Sequence, residues 1–510
     1  MADILASAGA QEDSSAPPET LLGLPASLVA RMQSDTLAWQ AVGGILIGAG
    51  ASLLPAPCSL LPYPWPSELF EQSRALAVPF NALVDRVARD VDWLHAATRS
   101  VVKQDAFTGR LLQLSESVHA EGPTQPLQLG IYRSDYMVHQ PPGGAPPLLR
   151  QVELNTISSS FGSLSGKLSA MHAELLPRWV APPVTGDTAS LQDMHASLAA
   201  GPGGRLPPNP CEAEISAALA EAHAAYVASS PKGGPCAVLM VVQPAERNVT
   251  DQRGIEACLW RSHGVPLVRM TMAEVEAAGK LSGPERRLLL PDGAEASVVY
   301  FRAGYTPNDY PTEREWSGRE LLERSHAIKC PSIGQHLAGT KKVQQLLADE
   351  AALARFAGGA EEAALLRTCF AGLYGLDEGG GEAVQAAVRD ALAAPAGYVL
   401  KPQREGGGNN LFDEELAEAL RTMGEEERSG YILMERIRPP TAPAVLMKGG
   451  QLVAGECAAE LGVYGVFLGD GQRTVLNRAA GHLLRVKQAS VNEGGVVAGF
   501  AALSSPLLFP

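Results

Sequence analysis

The decamer KPQREGGGNN, Lys401 to Asn410, constrains this chain more than any other segment. It sets two cations, a carboxylate, three consecutive glycines and three carboxamides in ten residues, and the preceding Tyr398-Val-Leu reads as a short strand delivering them to a strand end. Glycines let backbone N–H groups approach a ligand without Cβ interference, and successive N–H groups form a nest for phosphate oxygens. Lys401 and Arg404 neutralise polyphosphate, while Glu405 with Asn409 or Asn410 supplies the hard oxygens that Mg²⁺ prefers. A glycine triplet by itself is most simply a surface loop; in this company it reads as a nucleotide-binding loop. It is not a P-loop, because no G-x-x-x-x-G-K-S/T occurs.

At 510 residues the chain has room for about three domain-sized units. Its net charge of −14 and pI near 5.3 disfavour nucleic acid and anionic membrane, so an anionic ligand needs a local cationic cluster. The seven cysteines (Cys58, Cys211, Cys236, Cys258, Cys330, Cys369 and Cys457) show neither CxxC nor zinc spacing. Reduced structural thiols are expected, as in cytosol or an organelle stroma. The longest apolar stretch, Ala41 to Cys58, is broken by four glycines and by Pro55 and Pro57. It is expected as buried strand and turn, not as a transmembrane helix. The first twenty residues carry acids but no Lys or Arg, and read neither as a secretory signal nor as a transit peptide. A cytoplasmic protein is expected, with a plastid or another organelle open if a transit peptide has been removed.

Residues 1–20 are expected as a disordered tail. Residues 21–230 open with helical patterns and continue into two strand-then-site elements, Leu127 to Met137 and residues 148–164. A helix starts near Ser163, with Leu164, Leu168, Met171 and Leu175 on one face. A Gly/Pro-rich loop covers 182–211. The apolar run CAVLMVVQ, a helix over Asp251 to Trp260, VPLVRM and SVVYFR then predict a small α/β unit with a mostly parallel sheet over 231–338. Residues 339–510 mix Ala/Glu-rich helices with the strands around the decamer.

Polar residues stand at the ends of these strands, where ligands collect in α/β sheets. They are Arg133; Glu153 and Asn155 with Ser158, Ser159 and Ser160; Glu246, Asn248 and Gln252; Arg302 and Tyr305; Lys341; and Arg485 and Lys487. Glu153 and Asn155 are two apart, so in a strand both side chains share a face and can bind one ion. Taken singly, Glu153 and Asn155 are more simply a solvated strand end, and Lys341 a helix-start lysine. Taken together, they suit a nucleoside triphosphate beside a second anionic substrate whose carboxylates fit bidentate arginine capture. No G-x-S-x-G elbow or Cys/His pair offers a nucleophile, so catalysis by positioning and charge neutralisation is expected.

The strings RSDYM, ELNTISSSFG, ERNVTDQR, FRAGY, LLERSHAIKCPSIGQHLAGTKKVQQ, KPQREGGGNNLF, ILMERI, AELGVYGVF and GHLLRVK with EGGVVAG together resemble the eukaryotic-type glutathione synthetases, a permuted branch of the ATP-grasp ligases. The resemblance spans about residues 40–510. It implies an α/β chain, α+β in its ATP-grasp part, with an inserted small parallel-sheet substrate domain and glycine-rich lid loops. It also implies ATP-dependent joining of γ-glutamylcysteine and glycine through an acyl phosphate, Mg²⁺ as cofactor, and a homodimer. Carried over by position, Glu153, Asn155 and Glu405 resemble the Mg²⁺ ligands. Glu153, Lys341, Lys401, Pro402, Gln403, Arg404, Glu405, Gly406, Gly407, Gly408, Asn409, Asn410, Phe412, Met434, Glu435, Arg436, Ile437, Glu460, Lys487 and Glu493 look like the ATP contacts. The dipeptide and acceptor would meet Arg133, Ile157, Ser158, Ser159, Ser160, Glu246, Arg247, Asn248, Gln252, Arg302, Ala303, Gly304, Tyr305, Arg485, Val496 and Val497. Arg133, Arg485, Lys401 and Lys341 take the catalytic roles.

Three positions depart from the family pattern. Ala303 replaces an acidic residue, Phe412 a frequent tyrosine, and Val496-Val497 puts two β-branched residues where the acceptor pocket is shaped. The pair would narrow that pocket, which fits glycine better than a bulkier acceptor. A ligase of the same fold using β-alanine or serine, and a non-catalytic nucleotide-binding regulator, are the alternatives. The protein-kinase HRD and DFG signatures are absent.

Overall fold

The computed structural model describes residues 24, 26–180, 206–229, 234–377, 380–403, 410–491, 495–496 and 499–510. The expected tail at 1–20 and most of the 182–211 loop lie outside the described residues, and helix formation resumes at Cys211.

Helix α1 (Ala26–Gly43) leads into a hairpin of β1 (Leu46–Ala49) and β2 (Ser52–Pro55). This corrects the expectation of a buried strand over Ala41 to Cys58. Ile45, Ala56 and Cys58 are buried, but the hairpin lies outside the large sheet, bridged at Gly48 to Asn248, and leaves Leu54 63% exposed. Its apolar residues resemble a core strand in composition, yet β1 is only half-buried, with Ile47 packed on the core, and β2 is mostly exposed. Helices α2 (Ala77–Arg89) and α3 (Ala106–Glu121) follow. The chain then enters strands β3 (Gln128–His139) and β4 (Leu148–Asn155), helices α4 (Gly162–Val180) and α5 (Cys211–Ser229), and strand β5 (Cys236–Val241). Helix α6 (Val249–His263) and strands β6 (Leu267–Met270), β7 (Glu295–Phe301) and β8 (Ile328–Cys330) complete the middle of the chain. After α7 (Lys341–Leu347) come β9 (Leu373–Gly375), β10 (Tyr398–Pro402), β11 (Leu411–Phe412) and β12 (Tyr431–Glu435), then β13 (Ala442–Lys448), β14 (Gln451–Gly469) and β15 (Thr474–Gln488).

Among the described residues one sheet gathers thirteen strands. Its centre is antiparallel: β15 pairs β14, β14 pairs β3, and β3 pairs β4. The wing is parallel, β3 to β8 to β7 to β5 to β6. Both faces are covered, which is why the wing strands read as unbroken apolar runs. In β5, Val238 and Met240 pack in one core cluster while Leu239 and Val241 pack in the other.

The second sheet, β9-β12-β10-β11, has four strands. One face buries Leu400 and Leu433 against the helices Glu382–Ala393 and Asp413–Thr422. The other presents a small apolar cluster of Ala371, Val399 and Met434. This sheet is fastened to the β3–β4 hairpin at two points: Gln151 N–H donates to the Cys369 carbonyl (2.8 Å) and Gln140 N–H to the Arg438 carbonyl (2.8 Å). An ion pair between buried Lys342 and Asp377 adds a third tie.

Candidate active site

Cross-strand register builds the site. Arg133 lies opposite Asn155, Asp135 opposite both Glu153 and Gly462, Glu460 opposite Arg485, and Ala458 opposite Lys487. Because alternate side chains share a face, β4, β3, β14 and β15 project their charges to one side. Residues from 133 to 487 in sequence thus meet on four adjacent strands.

The charges are interlocked. Arg133 grips Asp135 with two bonds, Nε to Oδ1 at 2.6 Å and Nη2 to Oδ2 at 2.8 Å. Arg485 Nη2 donates to Asp135 Oδ2 (2.8 Å) and also to Glu460. Asn155 Nδ2 donates to Asp135 Oδ2 (3.1 Å) and Glu153 Oε1 (3.2 Å). Burial works against the charged form of Glu153, yet Lys341, Arg485, Lys401 and Arg133 together hold its carboxyl below the usual range. Burial pushes the Glu460 carboxyl up, with Asp135 and Glu153 reinforcing that shift and Arg485 opposing it. Glu153 is therefore the anion kept ready for a cation, and Asn155 stands beside it with its amide nitrogen already committed. Two oxygen donors of this kind fit Mg²⁺, which keeps several waters and needs few protein ligands. Among the described residues no group of three or more His, Cys, Asp or Glu is arranged to hold a metal.

Between the two sheets lies a cavity of about 440 Å³. Arg133, Glu153, Asn155, Tyr305, Lys341, Lys401, Asn410, Glu460, Arg485 and Lys487 form its polar wall. Val399, Phe412, Met434 and Ile437 form the apolar one. Lys341 occupies the first position of α7, and Lys401 Nζ donates to the Val152 carbonyl (3.2 Å). Glu435 and Arg436 line the cavity, but Glu435 turns its carboxylate to Gly372 N–H (3.3 Å) and Tyr374 OH (3.3 Å). Arg436 pairs with Asp413 (2.9 Å) and lies over the Phe412 ring (5.2 Å). Pro402 and Gln403 line a different cleft, shared with Phe107, Tyr310 and Trp316.

The serine segment forms a second pole. Ser158 (φ 53°) and Phe161 (φ 73°) adopt left-handed backbone, a strain that non-glycine residues carry at functional turns. The turn is fixed from three sides. Ser158 Oγ donates to the Phe301 carbonyl (3.3 Å), Arg133 Nη1 and Tyr464 OH donate to the Ser160 carbonyl, and Arg302 Nη2 donates to Ser160 Oγ (3.3 Å). Ser159 Oγ donates to the Asn155 carbonyl (3.4 Å), and Ile157 packs on the core. Arg302 is buried, and its Nε and Nη1 have no hydrogen-bond partner among the described residues, an open capacity for an anion. Nearby, Glu246 accepts from Asn248 N–H (2.7 Å) and from Gln252 Nε2 (2.5 Å). The Arg247 side chain is exposed, its carbonyl accepting Gly48 N–H (2.7 Å). Ala303 and Val496 are buried, and Gly304 has φ +97° against Tyr310.

Arg404, Glu405, Gly406, Gly407, Gly408, Asn409, Glu493 and Val497 lie outside the described residues. Sequence reasoning passed over Asp135, Asp251 and Tyr464, although each sits inside a string it singled out: RSDYM, ERNVTDQR and AELGVYGVF. Their signal was an acid or hydroxyl within two or three residues of a site arginine or asparagine on the same segment or an adjacent strand.

Fold and site define an α/β enzyme with a cationic cavity under an apolar shelf, fitted to a nucleotide, and an anion-binding turn at its edge. A family model for the eukaryotic glutathione synthase ATP-binding domain matches residues 26–508. The human glutathione synthetase is 42% identical over 455 residues, covering 88% of this chain and 90% of that one. The chloroplastic glutathione synthetase of Solanum lycopersicum is 39% identical, covering 97% of this chain and 87% of its own, and the glutathione synthetase of Dictyostelium discoideum is 41% identical, covering 89% and 91%. In structure, a glutathione synthetase-like effector from Globodera pallida superposes with a TM-score of 0.74 at 19% identity, covering 95% of this chain and 98% of its own. The chain belongs to the eukaryotic glutathione synthase family.

Proposed function

We propose that this chain joins γ-glutamylcysteine to glycine, with ATP cleaved to ADP and phosphate, through an acyl phosphate on the cysteinyl carboxylate. The observation that carries this reading is the shared polar wall: Arg133, Arg485, Lys341 and Lys401 converge on one cavity with Glu153 and Asn155. Positive charge from these groups would draw the γ-phosphate and the dipeptide carboxylate together and stabilise the charge that builds during transfer. Mg²⁺ held by Glu153 and Asn155, with Glu405 as a third ligand, would neutralise phosphate oxygens. The Ala371, Val399 and Met434 shelf suits the adenine face, with the backbone of 434–437 beside the base edge. Arg302 and the serine turn suit the dipeptide, and the glycines at 406–408 and 494–495 the closing loops that exclude water.

The ATP-grasp topology, a unit division near residues 230 and 338, and a homodimer belong to the same proposal. No described helix is long and apolar enough to cross a membrane. A cytoplasmic or plastid compartment is proposed, the latter because two plant relatives are chloroplastic proteins.

The test is ADP release with Mg-ATP and γ-glutamylcysteine, offering glycine, β-alanine or serine, with mass spectrometry of the product. Turnover with glycine yielding glutathione supports the reading. Turnover confined to β-alanine or serine moves the acceptor, and ATP binding without turnover points to a regulator.

A further inference from the structure

Asp135 has its whole side chain sealed from solvent (0% exposed), and among the described residues its carboxylate hydrogen-bonds to other site residues. Its Oδ1 accepts Arg133 Nε (2.6 Å), and its Oδ2 accepts Arg133 Nη2 (2.8 Å), Arg485 Nη2 (2.8 Å) and Asn155 Nδ2 (3.1 Å). One carboxylate thus holds two guanidinium groups that would otherwise repel each other. It also fixes which end of the Asn155 amide faces away from β3. A second observation comes from the neighbouring strand. Gly462 stands opposite Asp135, and a Cβ there would lie 2.6 Å from Asp135 Oδ1 and 2.7 Å from Arg133 Cδ. Any side chain at 462 would push the fork out of place, so the glycine is a spatial requirement of the pair and not of a turn.

We propose that Asp135 is a positioning residue for the reaction, setting the directions of Arg133, Arg485 and Asn155 together, and that Gly462 supplies the space in which it does so. The inference rests on the reading that the two arginines meet the dipeptide or its acyl phosphate. Asp135 touches neither substrate. It acts by fixing the separation of two cations and the presentation of one carboxamide oxygen, so its loss scatters three groups at once while the adenine shelf, built on the other sheet, stays in place.

The experiment compares Asp135→Asn and Gly462→Ala with Arg133→Ala and Arg485→Ala in the full chain. Each is assayed for kcat, for KM of γ-glutamylcysteine, and for ADP affinity by calorimetry on the folded fraction. Expected for Asp135→Asn and Gly462→Ala is a KM for the dipeptide raised at least tenfold and kcat lowered at least tenfold, with ADP affinity within threefold of the parent. A residue that merely supports the fold would lower the thermal midpoint and leave both kinetic constants of the folded fraction intact, which overturns the inference. If the two arginine variants themselves keep parental dipeptide kinetics, the reading of those arginines falls and the inference with it. If they lose activity while Asp135→Asn and Gly462→Ala do not, the positioning role alone falls. If Asp135→Asn does not fold, Gly462→Ala decides, and failure of both to fold assigns the pair to the core and overturns the proposal.

Discussion

Asp251 and Arg302 form an ion pair of 2.9 Å in which neither side chain reaches solvent, at 0% and 1% exposure. The same carboxylate accepts backbone N–H groups from Phe161 (2.9 Å), Ser163 (2.8 Å) and Leu164 (3.2 Å), at the entry to α4. One buried anion therefore fastens the start of a helix, the strained serine turn and a guanidinium with two donors that have no partner among the described residues.

Removing that anion leaves Arg302 charged and unpaired in the interior, a change that costs about 3–5 kcal/mol when a buried pair is broken from one side. Asp251→Ala is expected to lose stability of this order in urea unfolding, and Asp251→Asn less, since an amide oxygen still accepts N–H bonds. A loss below about 1 kcal/mol for the alanine variant would mean that water reaches Arg302, against its burial.

Glu153→Gln keeps the size of the side chain and removes its charge. The neighbouring Asn155 amide and the lysines remain, so nucleotide still binds, but the metal loses its anionic protein ligand on β4. The concentration of Mg²⁺ needed for half-maximal ADP release is expected to rise at least about tenfold, the lower end of what disturbing a metal's supporting groups costs. Mn²⁺ binding followed by electron paramagnetic resonance gives a reading independent of turnover. Unchanged Mn²⁺ affinity in the variant would remove Glu153 from the metal site.

Stability should fall on the acid side through buried histidines. Burial holds His172 neutral, lowering its pKa to about 4, its ring bridging the Ser505 hydroxyl (2.9 Å) and the Ser59 carbonyl (3.1 Å). His482 is likewise depressed by burial, to about 3, and His336 lies well below its ordinary value for the same reason. The unfolded chain takes up these protons below about pH 6.5 while the folded chain does not, so stability is full above that value and declines as pH falls towards the folded pKa. For each histidine the limiting slope is about 1.4 kcal/mol per pH unit. Urea unfolding at pH 7, 6 and 5 is expected to show the decline, and His172→Gln to reduce its slope by about that amount per unit. A variant with the parental slope would show that His172 is not a source of it.

Much of the site could be read from local strings because strand ends advertise themselves: an apolar run, then a polar residue with a defined face. Glu153 and Asn155 were legible as a pair through the two-residue strand period alone. Asp135 was not legible as their neighbour. Its partners Gly462 and Arg485 are more than three hundred residues away in sequence, and only the β14–β3 and β14–β15 registers bring them together. The hairpin at 46–55 misled for the opposite reason, since apolar composition records what a strand can bury and not how much of it its neighbours cover. Lys342 escaped attention beside Lys341, although it is Lys342 that is buried and tied to Asp377.

The two poles should be separable by mutation. Met434 is 2% exposed within the shelf of Ala371 and Val399, on the sheet to which the proposed function assigns the adenine and not the dipeptide. Met434→Ala strips apolar surface worth about 0.8 kcal/mol per methylene, partly offset by relaxation of the shelf, so the KM for ATP is expected to rise about 5- to 30-fold. Tyr464 is wholly buried on the other sheet, and its hydroxyl donates to the Ser160 carbonyl that Arg133 also holds. Tyr464→Phe removes one hydrogen bond worth about 1 kcal/mol, so the KM for γ-glutamylcysteine is expected to rise about fivefold. Each variant should leave the other substrate's KM within about twofold, because mutations at distant sites with no shared partners act independently. Steady-state kinetics with both substrates varied checks the crossover. If Met434→Ala and Tyr464→Phe move both constants together, the shelf and the serine turn do not serve different substrates, and the division of the cavity between nucleotide and dipeptide fails.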